Sequence, residues 1–229
     1  MSGIDATRHL KIFDPDKFGA RRVDIVGVGA TGSRIAMSIA KLGVRQLHLW
    51  DFDVVEPHNI PNQVFGNGDV GKPKVEALAA RIEADTGTKV YAHNEKVTGR
   101  TRLGDYVFLL TDTMSSRKDI WEGAIRWKPS IKVMVETRMG SVEGRIYAVS
   151  PTNPDTVKAW EATLFSDEDK TVERSLCGTQ ITVGPTAEII SGMAVWTFID
   201  TWRHEFDRKI DAPPFETIFG VIPMMAITR

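Results

Sequence analysis

Hydrophobic and polar positions follow two periods along the first part of the chain. Arg21–Gly27 (RRVDIVG) is a short apolar run that reads as a buried strand, Ala30–Leu42 as a helix and Gln46–Asp51 (QLHLWD) as the next strand. Within Pro73–Asp85, Val75, Leu78, Ala79 and Ile82 fall at i, i+3, i+4 and i+7, the stripe of a helix lying on a sheet. Pro73 suits the first turn of that helix. Lys89–His93 reads as a short strand, Asp105–Thr111 (DYVFLLT) as a buried one, Ser115–Lys128 as a helix ending before Pro129, and Ile131–Thr137 as another strand. Strands alternating with helices predict a parallel, doubly wound sheet.

After Glu136 the pattern changes. Ser141–Ser150 has the pattern of a strand pairing antiparallel with a neighbour. Pro151–Leu176 is polar, carries Pro151 and Pro154, and includes the acidic run SDEDKTVE; it reads as a long loop, and long loops in compact domains are often functional. Thr186–Phe206 is apolar almost all round (Ile189, Ile190, Met193, Val195, Trp196, Phe198, Ile199, Trp202), which predicts burial in the core or a subunit interface. Trp121, Trp127, Trp196 and Trp202 are expected on helices, as core or interface. Thr217–Thr228 adds strand. The expected fold class is α/β: a Rossmann-like, doubly wound sheet whose parallel half is extended by antiparallel strands.

Composition narrows the class. A chain of 229 residues is long enough for one large domain with its own core. Hydrophobic residues at 42% and charged residues at 26% argue against disorder. Lys plus Arg number 29 against 30 Asp plus Glu, so bulk charge gives no drive toward nucleic acid. Cys177 is the single cysteine, which excludes an internal disulfide and a four-cysteine zinc site. The N-terminal segment has no apolar core of a signal peptide, and the longest apolar stretch, near Ile189–Ile199, is too short to span a bilayer. The expectation is a soluble, cytoplasmic protein with neither membrane nor nucleic-acid partner.

Gly27-Val28-Gly29-Ala30-Thr31-Gly32 is G-x-G-x-x-G, placed after a predicted strand and opening a predicted helix. Gly27 permits the tight turn, Gly29 lets a phosphate approach the backbone, and Gly32 lets helix pack on strand. The helix start, at Ala30 and Thr31, offers N–H groups to an anion. Asp51 lies 19 residues beyond Gly32, where a carboxylate accepts hydrogen bonds from ribose hydroxyls. These residues predict a nucleotide site. A dehydrogenase using NAD is one class with such a site.

The stretch Asp51-Phe-Asp-Val-Val-Glu-Pro-His-Asn-Ile-Pro-Asn-Gln63, followed by Gly71-Lys-Pro-Lys74, resembles the ThiF/MoeB/HesA family of the E1-like ubiquitin-activating superfamily. The family pattern is D-x-D-x-V, N-x-x-R-Q, G-x-x-K at a helix start and T-D near the end of a later strand. Here it falls on Asp51 and Asp53, Asn59 and Gln63, Gly71 and Lys74, and Thr111-Asp112. The resemblance is detailed over Arg21–Thr137 and loose beyond.

The resemblance implies ATP-dependent attack of a carboxylate on the α-phosphorus, giving an acyl adenylate. The carboxylate would be the C-terminus of a small ubiquitin-like or sulfur-carrier protein, with a homodimer expected. It implies one adenylation domain over 1–229: a nucleotide-binding half, 1–137, and a carrier-binding and dimer half, 138–229, with a crossover loop at about 151–184. The implied cofactors are ATP and Mg²⁺. Asp51, with Asp53 near it, would hold the ribose; Lys74 would contact phosphate oxygens. Asp112 would bind Mg²⁺, and Asn59 and Gln63 would position phosphates or the substrate carboxylate. Arg117 is a further candidate for the same field. Asp53 as a turn residue, Asp112 as a cap for the helix at Ser115 and Lys74 as a solvated lysine are the structural alternatives.

The chain departs from the pattern at Asn62, where the family places an arginine on the phosphates. Arg8, Arg117 and Arg138 are the candidate replacements, and a catalytically impaired nucleotide-binding partner subunit is the alternative function. The zinc-binding cysteine pairs common in the family are absent. Cys177, between the polar loop and the last long helix, matches the crossover-loop cysteine that takes an acyl group from the adenylate; a buried structural thiol is the other reading.

Overall fold

Strand β4 (Tyr106–Leu109) shows why the sheet needs cover on both faces. All four of its residues are buried; Tyr106 and Phe108 enter one hydrophobic cluster, Val107 and Leu109 the other. A strand apolar on both sides belongs in the middle of a parallel sheet sandwiched by helices. The computed structural model describes residues 4–168 and 183–229.

With β4 run β1 (Arg22–Val26), β2 (Gln46–Trp50), β3 (Tyr91–His93), β5 (Val133–Met139), β6 (Glu143–Val149), β7 (Glu216–Val221) and β8 (Met224–Thr228). They form one eight-stranded sheet in the order β3-β2-β1-β4-β5-β6-β7-β8. The first five pair in parallel and the last three antiparallel. The expected Rossmann-like parallel half with an antiparallel extension is therefore the observed architecture, and the single sheet runs through both halves of the chain.

Helices α2 (Ala30–Lys41), α3 (Lys74–Thr86) and α6 (Gly184–Phe206) cover one face, α4 (Met114–Ile120) and α5 (Pro154–Glu161) the other. A single turn, α1 (Pro15–Phe18), seats Phe18 against the rings of Tyr106, Phe198 and Trp202. From β1 the chain winds outward to β2 and β3, then returns to place β4 on the other side of β1. That reversal opens a crevice at the carboxyl ends of β1 and β4, where open α/β sheets hold ligands.

Two expectations are corrected. The polar stretch from Pro151 is not loop throughout, because Pro154–Glu161 is helical. Pro154 is a helix starter there: Asn153 Oδ1 caps the Asp155 N–H at 2.9 Å, and Val157 and Trp160 bury at i, i+3. The helix expected over Ser115–Lys128 ends as α at Ile120 and continues as a π-turn, Trp121–Ile125. Trp127 consequently leaves the helix with φ of 57° and is 48% exposed, and Trp196 is 52% exposed, while Trp121 and Trp202 are core.

Glu136, fully buried on β5, ties the second face together. Its carboxylate accepts from Arg117 Nη1 on α4, from Arg138 Nε at 2.8 Å and from Trp160 Nε1 on α5 at 2.9 Å. Removing one member of such a set leaves the others charged and dry. Glu136→Leu is expected to cost about 3–5 kcal/mol, and Trp160→Phe, which removes one donor, about 1–3 kcal/mol. Urea denaturation measures both, and a Glu136→Leu chain as stable as Trp160→Phe would contradict the assignment.

Candidate functional site

The glycine turn joins β1 to α2 at backbone contact distance from β4. Leu110 N–H donates to the Val26 carbonyl at 2.8 Å. Gly27 sits at φ +93°, and a Cβ there would lie 2.8 Å from the Leu110 carbonyl oxygen. On Gly32 a Cβ would lie 1.9 Å from the Gly27 carbonyl oxygen, so α2 packs on the turn only without one. Gly29 is different. Nothing lies within 4 Å of its Cβ position, and it is the N-cap of α2, with no side-chain cap and no acid in the first turn. The N–H groups of Ala30, Thr31 and Gly32 thus begin a helix in front of open space, the arrangement that suits a phosphate.

Asp51 follows β2 directly. Its Oδ2 accepts from Val28 N–H at 2.8 Å and its Oδ1 from Asp53 N–H at 2.9 Å, locking the acid against the glycine turn. Burial pushes the Asp51 carboxyl above the usual carboxylate range, and the two N–H bonds oppose it. Asp53 Oδ2 meets Lys74 Nζ at 2.9 Å, and the Asp53 carbonyl accepts Lys74 N–H at 2.9 Å. Lys74 opens α3 and is only 7% exposed, so its ammonium is held at a helix N-terminus beside a carboxylate that is itself half in solvent. A cation in that position opposes the helix dipole and favours an anion. Asp53 therefore does more than turn the chain, and Lys74 is not a solvated lysine.

Asn59 is buried, but its Oδ1 accepts Glu56 N–H at 2.9 Å and its carbonyl accepts the N–H groups of Asn62 and Gln63. It shapes the turn that carries Gln63, whose buried Oε1 meets no donor among the described residues. The buried Thr111 Oγ1, at the carboxyl end of β4, is likewise without a partner there. Asp112 follows it and is exposed. It does not cap α4: Thr113 Oγ1 accepts Ser116 N–H, and the carboxylate of Asp167 accepts Met114 and Ser115 N–H. The acidic run noted in the sequence thus contributes a cap through Asp167.

Arg117 is engaged internally. Its Nε and Nη2 donate to the Thr111 carbonyl at 2.9 and 2.6 Å, and its Nη1 to Glu136 and the Thr137 carbonyl. Burial and the charge of Arg138 push its pKa down. It is an internal strut that fixes the Thr111–Asp112 turn, and only its closeness in sequence suggested a nucleotide contact. Arg138 is similarly spent, on Glu136 and on the Thr163 carbonyl and hydroxyl, between the rings of Tyr147 and Phe165. Arg8 is exposed. Cys177 lies outside the described residues. Sequence reasoning missed Arg34, Glu136 and Asp167, each of which has a partner 19 to 154 residues away along the chain.

A doubly wound α/β domain with a glycine turn at its switch point, an acid after the second strand and a buried lysine at the next helix start defines a Rossmann-like class. A model of the ThiF family matches residues 8–211, and the chain belongs to that family. Among curated proteins it is 33% identical over 86 residues to ubiquitin-like modifier-activating enzyme 5 of Drosophila willistoni, 37% of this chain and 21% of that one. It is 33% identical over 78 residues to the NEDD8-activating enzyme E1 catalytic subunit of Arabidopsis thaliana, 33% of this chain and 17% of that one. The first curated relatives, two uncharacterized Sinorhizobium fredii proteins, are matched over only 11% and 10% of their length. Among solved structures, PaaA superposes with a TM-score of 0.70 at 21% identity over 98% of this chain and 68% of its own. E. coli MccB with ATP gives 0.66 at 14% over 94% and 65%. These likenesses establish the shared fold.

The three glycines separate structure from binding. Gly32→Ala is expected to destabilise by at least about 3 kcal/mol, because backbone must move to admit the Cβ. Gly29→Ala should leave the unfolding midpoint nearly unchanged while weakening ATP binding about tenfold or more. Thermal denaturation and calorimetric titration read the two effects. A Gly29→Ala chain that binds ATP normally would remove the cradle.

Proposed function

We propose that this chain is an ATP-dependent adenylyltransferase that activates the C-terminal carboxylate of a small ubiquitin-like or sulfur-carrier protein. The observation that carries the reading is the open, uncapped start of α2 over Gly29, with Asp51 locked beside it and Lys74 held by Asp53 at the next helix start. Membership of the ThiF family supports it, as do relatives named as modifier-activating enzymes and the solved neighbours E. coli MccB with ATP and with MccA.

The chemistry asks little covalent help of the protein. A carboxylate oxygen attacks the α-phosphorus, the bond to the bridging oxygen breaks, and pyrophosphate leaves with the electron pair. The protein's part is in-line positioning and neutralisation of charge. Asp51 would accept ribose hydroxyls, and the first N–H groups of α2 and the Lys74 ammonium would hold phosphate oxygens. Gln63 Oε1 and Thr111 Oγ1 are buried and without a partner among the described residues, the latter at the carboxyl end of β4. Asp112, an exposed carboxylate at a strand's carboxyl end, fits Mg²⁺, which is bound by one or two carboxylates plus substrate phosphates. When bound, that cation neutralises phosphate charge.

The carrier would lie over the antiparallel half of the sheet, with a second copy of the chain as dimer partner. Cys177 would receive the acyl group only if transfer follows adenylation. The described helices include none long and apolar enough to cross a membrane.

ATP–pyrophosphate exchange with candidate carriers tests the reading. Lys74→Ala and Asp112→Ala should each lower exchange about 10²–10³-fold with the unfolding transition retained; wild-type rates in either would refute the site. ATP binding without exchange would favour the impaired-partner alternative, and preference for NAD over ATP-Mg an oxidoreductase. Cys177→Ser with unchanged onward transfer would make that thiol structural.

A further inference from the structure

Asn62 leaves the turn after Asn59 without a cation of its own; of the three candidate replacements, Arg117 and Arg138 are consumed by Glu136 and its neighbours, and Arg8 is exposed. A different arginine reaches the same place. Arg34 lies one turn into α2, and its side chain runs back toward the start of that helix. Its Nη1 donates to the Ala30 carbonyl at 2.9 Å and to the carbonyl of Asn62 itself. Its Nε donates to Glu188 Oε1 on α6 at 2.7 Å. The side chain is 11% exposed, whereas that of Glu188 is 66% exposed.

The remaining edge of the guanidinium, Nη2, has no acceptor among the described residues. It faces the beginning of α6: a Cβ on Gly184 would lie 3.8 Å from Nη2, 3.0 Å from the Pro61 carbonyl oxygen and 3.9 Å from Asn62 Oδ1. Like α2, α6 starts without a side-chain cap and without an acid in its first turn. A nearly buried guanidinium therefore sits between two positive helix ends, balanced by one carboxylate that solvent screens. Its one anionic partner is screened, so the field favours a second anion at Nη2. With Nε on Glu188 and Nη1 on the Ala30 and Asn62 carbonyls, Nη2 keeps its two N–H groups for phosphate oxygens.

We infer that Arg34 is the phosphate-contacting arginine of this chain, taking from α2 the charge that Asn62 does not supply. The inference rests on the ATP-site reading above and deepens it. The bond to the Asn62 carbonyl ties the guanidinium to the turn, and the bond to the Ala30 carbonyl ties it to the start of α2.

Calorimetric titration of the full chain with ATP-Mg and with AMP tests it. The wild-type chain should prefer ATP. Arg34→Gln should weaken ATP binding about 10–100-fold and leave AMP binding unchanged, and Arg34→Gln/Asn62→Arg should recover most of the preference. Should Arg34→Gln not fold, Arg34→Lys reads the same ratio, since a point charge without the fork reduces it. Equal loss for both nucleotides, or an unchanged ratio in a folded variant, would make Arg34 a tether between α2, the turn and α6, and would overturn the inference. A wild-type chain that binds neither nucleotide overturns the ATP-site reading, a result that no Arg34 variant alone produces.

Discussion

The carboxyl ends of β1 and β4 meet with no side chain between them, and the site hangs from that contact. Gly27 turns at positive φ against the Leu110 carbonyl, and Gly32 brings α2 onto the turn so closely that only hydrogen fits. The approach aims the start of α2 into the crevice where strand order reverses. Asp51 then closes on Val28 from β2, and the segment after it is laced to the segment before α3 by Val55 N–H to the Lys72 carbonyl and Lys74 N–H to the Asp53 carbonyl. Each strand end thus delivers one functional group to a frame set by backbone contact.

A second constraint works from below. Glu136 is a buried carboxylate whose stability depends on two guanidinium groups and an indole arriving together. Such sets contribute less through raw attraction than through the cost of any arrangement that breaks them. Because Arg117 also holds the Thr111 carbonyl, the set fixes the turn that presents Asp112. Asp167, six residues beyond the end of α5, adds a lock by capping α4. The exposed carboxylate at the strand end is therefore carried on a rigid base although its own surroundings are open.

Charge around the crevice is uneven in an informative way. Lys74 is paired with Asp53 and Arg34 with Glu188, and both carboxylates are at least half in solvent. Both lie at helix starts, where a positive group costs energy unless an anion arrives.

Local rules made much of this legible. Apolar runs and helical stripes marked the strands and most helices, because burial on two faces imposes those periods on any parallel sheet. The glycine spacing, Asp51 and Lys74 were readable because a turn, a strand end and a helix start are defined by neighbours in the chain. The prolines of 151–161 misled, since Pro154 starts a helix only when Asn153 caps it and Trp160 finds a core to enter. The partners of Arg117, Arg138 and Arg34 were decided by tertiary structure alone. An arginine reaches several ångströms in any direction, and whether it meets a buried Glu136 or the carbonyl of Asn62 depends on how α4 and α2 pack, which no local pattern encodes.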